Sequence, residues 1–178
     1  MPLDAPGSTA IVVLTPEAEP VAGAFYREHS IAGRDGMTPH VTLLVPFAPT
    51  GLITEDVELR LRGLFSRFDA FDYVLERFEQ FESGVLYLAP EPAARFVDLV
   101  LALTEVFPDY PPYEGVHDDV VPHVTIAESR DHELLSRLRS EIAPRLPVAC
   151  RVEAATLVVR GTDLRWRPKT AYRLGSLE

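Results

Sequence analysis

Pro39-His40-Val41-Thr42-Leu43 and Pro122-His123-Val124-Thr125-Ile126 are two copies of one pattern, 83 residues apart in a chain of 178. Each is a proline, a histidine, an aliphatic residue, a threonine and another aliphatic residue, and each follows a stretch that reads as loop. A short run with this alternation is a strand buried on one face. Proline cannot donate to a sheet ladder, so it marks the strand's start, and it biases Thr38 or Val121 before it toward extended backbone. Side chains two apart in a strand share a face and lie about 6.5 Å apart. His40 and Thr42 therefore point one way and Val41 and Leu43 the other, and the second copy repeats this.

Working outward from the first copy, Thr9 to Leu14 is a β-branched apolar run closed by Thr15-Pro16, a buried strand. Residues 19 to 30 have helical spacing, with Pro20 in the first turn, and Gly33 and Gly36 mark a loop. The first motif strand spans 39 to 46. Thr54, followed by Glu55 and Asp56, predicts a helix start, with Leu59, Leu61, Leu64, Phe65 and Phe68 in its apolar stripe. Phe71 to Phe81 and Gly84 to Leu88 read as strands joined at Ser83-Gly84. A second helix is expected to begin at Pro90-Glu91-Pro92, with Phe96, Leu99, Val100, Leu103 and Phe107 at spacings of three and four. A loop from Pro108 to Val121 leads into the second motif strand. A helix over 131 to 143 and strands over 147 to 160 and 165 to 174 complete the chain.

Strands that neighbour in sequence as hairpins favour an α+β fold of antiparallel sheets over a doubly wound parallel sheet. The two motif copies sit at similar places in the two half-chains. The expectation is a single domain, 1–178, of two interleaved pseudo-repeat lobes with one His-x-Thr each, bilobal about a central groove with helices outside.

Formal net charge is −10, so a long duplex bound by neutralising many phosphates would be repelled, whereas a small or terminal phosphate could still bind. The single cysteine, Cys150, leaves no internal disulfide and no cysteine-rich zinc site. No apolar run reaches a membrane span, and the start, MPLDAPGS, lacks the basic and apolar regions of a secretory signal. A cytoplasmic location and no membrane partner are expected. The one basic concentration is Arg160, Arg165, Arg167, Lys169 and Arg173 against Asp163, and simple alternation puts Arg165, Arg167 and Lys169 on one face.

An imidazole and a hydroxyl on one strand face can meet one tetrahedral phosphate, the hydroxyl donating to a non-bridging oxygen and the imidazole facing an entering or leaving oxygen. One copy makes half a site. If a pseudo-twofold axis relates the copies, His40 and His123 flank the phosphorus as base and acid, and Thr42 and Thr125 hold its oxygens. A reference pKa near 6.5 suits histidine to both roles. A zinc reading of the histidines lacks an HExxH, a CxxC or an obvious third ligand.

The paired motifs resemble those of the two-histidine (2H) phosphoesterases, which include bacterial 2′-5′ RNA ligase-like proteins and 2′,3′-cyclic phosphodiesterases. Ala18-Glu19-Pro20, the stretch from Pro39 to Phe47, Asp118-Asp119-Val120-Val121 and Trp166-Arg167-Pro168-Lys169 extend the resemblance over nearly the whole chain. It implies metal-independent cleavage of a cyclic phosphate or phosphodiester without a cofactor. It also implies that His40 and His123 are catalytic and that Thr42 and Thr125 bind phosphate, leaving open which histidine is the acid. Tyr113, His117, Arg160, Arg167 and Lys169 are further candidates for substrate contact. Expected partners are nucleotides, cyclic phosphates or short RNA ends, acted on by a monomer, with ligation as the reverse reaction. A groove that binds nucleotides without turning them over is the alternative function.

Overall fold

The computed structural model describes residues 5–115 and 120–175, and only the backbone of Tyr113 and Glu114. Eight strands form one antiparallel, curled sheet: β1 (Thr9–Leu14), β2 (His40–Leu44), β3 (Phe71–Gln80), β4 (Val85–Glu91), β5 (Val124–Glu128), β6 (Val148–Val152), β7 (Ala154–Arg160) and β8 (Trp166–Arg173). Their order across the sheet is β6-β3-β4-β5-β2-β1-β7-β8. The two motif strands, β2 and β5, are thus neighbours at its centre, and the first and last strands of the chain join the β2 half. Among the described residues the ladder between the halves is a single pair, Val41 with Val124, whereas every other neighbouring pair makes a longer ladder.

Helices α3 (Glu55–Phe65), α4 (Ala94–Val106) and α5 (His132–Ile142) cover the back of the sheet. The larger core lies there, where Val41, Leu43, Val124 and Ile126 meet Leu64 and Phe65 of α3, Phe96 and Leu99 of α4, and Leu135 and Leu138 of α5. Thr54 caps α3, its hydroxyl accepting from the Val57 amide, and the Asp131 carboxylate accepts from the Glu133 and Leu134 amides at the start of α5. A smaller cluster of Ala10, Val12, Tyr26, Met37, Val158 and Trp166 lies on the front. Two short helices, α1 (Ala24–His29) and α2 (Ile31–Arg34), border this front face.

Several boundaries differ from the sequence reading. The segment 19–30 divides into a single π-type turn, Glu19–Gly23, and α1, and α2 occupies the predicted loop around Gly33. β4 runs on through Glu91, so the helix begins at Ala94 rather than at Pro90. The run 147–160 is two strands that break at Glu153. Leu59, expected in the apolar stripe of α3, is exposed, because it stands two residues before buried Leu61 and so on another side of the helix. At Ser83-Gly84 the expected turn forms. Gly84 has φ +99°, and a Cβ there would lie 2.4 Å from the Ser129 carbonyl oxygen, so no other residue fits without movement.

Both motif strands carry a β-bulge at the same place. Along β1–β2 the register passes from Val12 with Thr42 to Ile11 with Leu44, leaving Leu43 as the extra residue. Along β4–β5 it passes from Tyr87 with Thr125 to Leu86 with Ala127, leaving Ile126 extra. Each bulge follows the motif threonine directly. Burial confirms the change of face, since Leu43 and Leu44 are both buried, as are Ile126 and Ala127.

Candidate active site

Strand alternation settles what the motif side chains face. Val41 and Val124 are fully buried at the back, and His40, Thr42, His123 and Thr125 all line one groove of about 500 Å³ on the front. With Val41 opposite Val124 in an antiparallel pair, His40 is set toward Thr125 and Thr42 toward His123. The histidines thus sit diagonally across the four-residue floor, and so do the threonines.

The two imidazoles are held alike. His40 Nδ1 is 2.8 Å from the Thr38 carbonyl oxygen, and His123 Nδ1 is 2.7 Å from that of Val121. A carbonyl accepts only, so Nδ1–H donates, and the neutral ring presents the lone pair of Nε2. The proline between each acceptor and its histidine explains why this contact forms locally. It holds the preceding residue extended and fixes its own φ, which aims that residue's carbonyl at the ring two positions on.

Aromatic rings support both histidines. Tyr26 of α1 meets His40 edge-on with centroids 6.1 Å apart, and Phe81 meets His123 edge-on at 5.1 Å. Burial pushes the His40 pKa down to about 4, against a partial upward pull from the Thr38 carbonyl, and the nearby His123 lowers it further. His123 is also lowered by burial, and less far. Both rings are therefore neutral at pH 7 in the ligand-free groove.

Beyond the floor, the groove is lined by Tyr26 of α1, Ser30 at the α1–α2 junction and Ile31 of α2, and by Met37, Val158 and Trp166. Arg160, 8% exposed, also lines it, paired with Asp35 at 2.6 Å and with its guanidinium carbon 5.8 Å from the Trp166 ring centroid. The Trp166 amide donates to the Asp35 carbonyl at 2.8 Å, which ties the α2 end to β8. Glu128 lines the groove beside Ser30, whose hydroxyl donates to Oε1 at 2.7 Å. Burial holds the Tyr26 hydroxyl well above its ordinary pKa, against a downward pull from Ser30, and the charge of Glu128 raises it further, so it stays protonated.

Of the substrate-contact candidates, Arg160 reaches the groove. Arg167 does not; it pairs with Asp163 at 2.6 Å. Lys169 does not either; it lies 3.8 Å from Glu58 of α3. Arg167 alternates with groove-lining Trp166 and so faces away, and Lys169 is the extra residue of a bulge, where β7–β8 pairing steps from Leu157 with Thr170 to Val158 with Pro168. Tyr113 lies in a short 3-10 turn, Pro112–Gly115, whose tyrosine side chain is not described, and His117 lies outside the described residues. Tyr26, Ser30, Asp35, Val45, Glu128 and Trp166 were not singled out from sequence. For two of them a signal existed: Val45 and Glu128 both stand five residues after a motif histidine.

Among the described residues, no group of three or more His, Cys, Asp or Glu is placed to hold a metal ion. Cys150 is buried against the sheet, its thiol pushed up to about 11 by burial.

A curled antiparallel sheet with two matched His-x-Thr strands at its centre defines a class, and comparison with known proteins gives the same one. The model of the 2′-5′ RNA ligase superfamily matches residues 15–164, and the chain belongs to that family. Among solved structures, TT0787 of Thermus thermophilus is similar at 19% identity and TM-score 0.64, over 96% of this chain and 100% of that one. E. coli LigT complexed with 3′-AMP is similar at 17% identity and TM-score 0.61, over 97% and 100%. The same protein complexed with NADP+ gives 18% and 0.57, over 96% and 99%. These likenesses carry the fold. No match was found among curated proteins.

Proposed function

We propose that the protein is a phosphoesterase that opens 2′,3′-cyclic phosphates or cleaves 2′-5′ phosphodiester bonds of nucleotides or short RNA ends. The observation that carries this reading is the matched pair of imidazoles, each tethered through Nδ1 with Nε2 toward the groove, with a threonine beside each. The two motif strands act as pseudo-repeats, each supplying one acid–base group and one phosphate-binding hydroxyl.

In this mechanism the phosphate rests between the Thr42 and Thr125 hydroxyls, which donate to its non-bridging oxygens. The neutral imidazole takes a proton from water as the water oxygen bonds to phosphorus. The opposite imidazolium gives its proton to the ribose oxygen as the P–O bond breaks. The diagonal placement matches the in-line geometry, because the entering and leaving oxygens lie on opposite sides of phosphorus. Proton transfer is direct and needs no metal or cofactor. Run backwards with a free 2′-hydroxyl in place of water, the same groups would join RNA ends.

The 3′-AMP and NADP+ complexes of LigT support a nucleotide-sized ligand here. The apolar side chains of Ile31, Met37 and Trp166 in the groove lining offer surface for a base. No helix among the described residues is long and apolar enough to cross a membrane. A cytoplasmic enzyme acting as a monomer is part of the same proposal.

The test is to incubate purified protein with 2′,3′-cyclic nucleotides and 2′-5′ dinucleotides, with EDTA present, and to repeat it with His40→Ala and His123→Ala. Turnover that survives either substitution would defeat the proposal.

A further inference from the structure

The two motif bulges have unequal consequences. By strict alternation, Leu44 and Ala127 would face the groove, and Val45 and Glu128 would face away from it. The extra residues Leu43 and Ile126 reverse this, burying Leu44 and Ala127 completely and turning the next side chains, Val45 and Glu128, into the groove. Equivalent positions thus present a neutral aliphatic group on one strand and a carboxylate on the other.

That carboxylate is held in place. Oε1 accepts from Ser30, a hydroxyl only 1% exposed, and Tyr26 lies on the same side with its proton retained. Glu128 itself is exposed toward the groove, so it keeps acceptor capacity for a ligand. With both histidines neutral, the charged groups lining the groove among the described residues are Arg160, Asp35 and Glu128, and the first two pair with each other. Among those residues, the groove of a protein proposed to bind phosphate therefore carries one negative charge not offset within it.

We propose that Glu128 is a specificity-determining residue. It accepts a hydrogen bond from an uncharged donor at the far end of a nucleoside and excludes substrates bearing a second phosphate there. This rests on the phosphoesterase reading for the position of the first phosphate, between Thr42 and Thr125. The first phosphate, between Thr42 and Thr125, is level with the Val41–Val124 pair, and Glu128, opposite Val85 where Val124 is opposite Leu88, stands three ladder steps further on, about 10 Å along the strand and the span of a nucleoside. A donor at that distance is a base amino group or the ribose 5′-hydroxyl. A phosphate there would meet the carboxylate across a partly desolvated groove, where like charges repel several times more strongly than in water.

The experiment is calorimetric binding of adenosine 3′-monophosphate and adenosine 3′,5′-bisphosphate to the wild-type chain, Glu128→Gln and Glu128→Arg. The wild type should prefer the monophosphate by about tenfold or more. Glu128→Gln should bring the ratio close to one, and Glu128→Arg should invert it. The 3′-monophosphates of 5′-deoxyadenosine and N6,N6-dimethyladenosine identify the donor, since the weaker binder lacks it. A ratio unmoved by both substitutions, in variants whose thermal melting matches the wild type, would overturn the inference. Failure of the phosphoesterase reading looks different: turnover would survive loss of His40 or His123, while the Glu128-dependent preference persisted.

Discussion

Changing pH should separate the two histidines, because the groove treats them unequally. His40 is pushed down to about 4 by burial, so at pH 7 only about one molecule in a thousand carries a proton there in the free enzyme. His123 is also lowered, but less far. When a single proton is on the pair it therefore resides mainly on His123, so in the proposed mechanism His123 would serve as the acid and His40 as the base. As pH falls through the lower macroscopic pKa, His40 gains a proton and can no longer accept one from water. As pH rises through the upper, His123 loses the proton it must donate. Both ordinary values are 6.5 and both shifts are downward, so the kcat/KM profile should be a bell lying on the acidic side of 6.5. Its alkaline limb should already fall about tenfold per pH unit between 7 and 8.

A cyclic phosphodiester keeps one negative charge throughout this range, so both limbs belong to the enzyme. Bound to the groove, that charge favours the protonated rings, and the kcat profile should sit at higher pH than the kcat/KM profile. The assay is initial-rate hydrolysis of a 2′,3′-cyclic nucleotide from pH 4 to 9 at constant ionic strength. A kcat/KM profile flat or rising from pH 7 to 8 would refute the reasoning, since it would mean that no depressed imidazolium serves as the acid.

His40→Ala or His123→Ala should lower kcat/KM by about 10² to 10⁴, and the double variant should be little worse than either single one, because the pair acts as a unit. Thr42→Ala and Thr125→Ala should each cost less, read in the same assay. Thermal stability should fall as pH drops from 6.5 toward 4, because the unfolded chain takes up a proton that buried, neutral His40 refuses; melting curves of wild type and His40→Asn would resolve this. Gly84→Ala should destabilise by about 2 kcal/mol or more in denaturant unfolding, through its positive φ and the close Ser129 carbonyl.

The site's floor was legible in sequence because its information is local. His-x-Thr in a strand puts two groups on one face, and proline before it fixes where the strand begins, so a repeated pentapeptide specifies half a site twice. Thr54, the Ser83-Gly84 turn and the apolar stripe of α4 were legible for the same reason, each being set by residues within one turn or hairpin. The walls were not. Trp166 and Arg160 come from the chain's end and Tyr26 from its beginning, and they meet because β1 bridges β2 and β7 at the sheet's centre. That pairing is non-local, and no short pattern encodes it. The short α1–α2 unit was obscured by Gly33 and Gly36, which read as loop although Gly33 lies within α2.

The bulges mark the boundary between these two kinds of information. Leu43-Leu44 and Ile126-Ala127 are adjacent apolar residues in strands that otherwise alternate, and two neighbours cannot both be buried on one face of a regular strand. Either the second is exposed to the groove or the strand holds an extra residue. For Leu44 the first option leaves a large aliphatic side chain open to the water-filled groove. Burying it instead removes most of a leucine's surface from water, a gain of about 2 kcal/mol, against the cost of disrupting the ladder locally. With Leu44 0% exposed, burial has prevailed. Once the strand is bulged, the residue five after the histidine must face the groove whatever its identity. In one strand that residue is valine. In the other it is glutamate, so the same packing demand that buries Ala127 delivers a charge to the site. A change at Glu128 should therefore alter which ligand the groove accepts while leaving the strand's packing intact, and a change at Ile126 should disturb both.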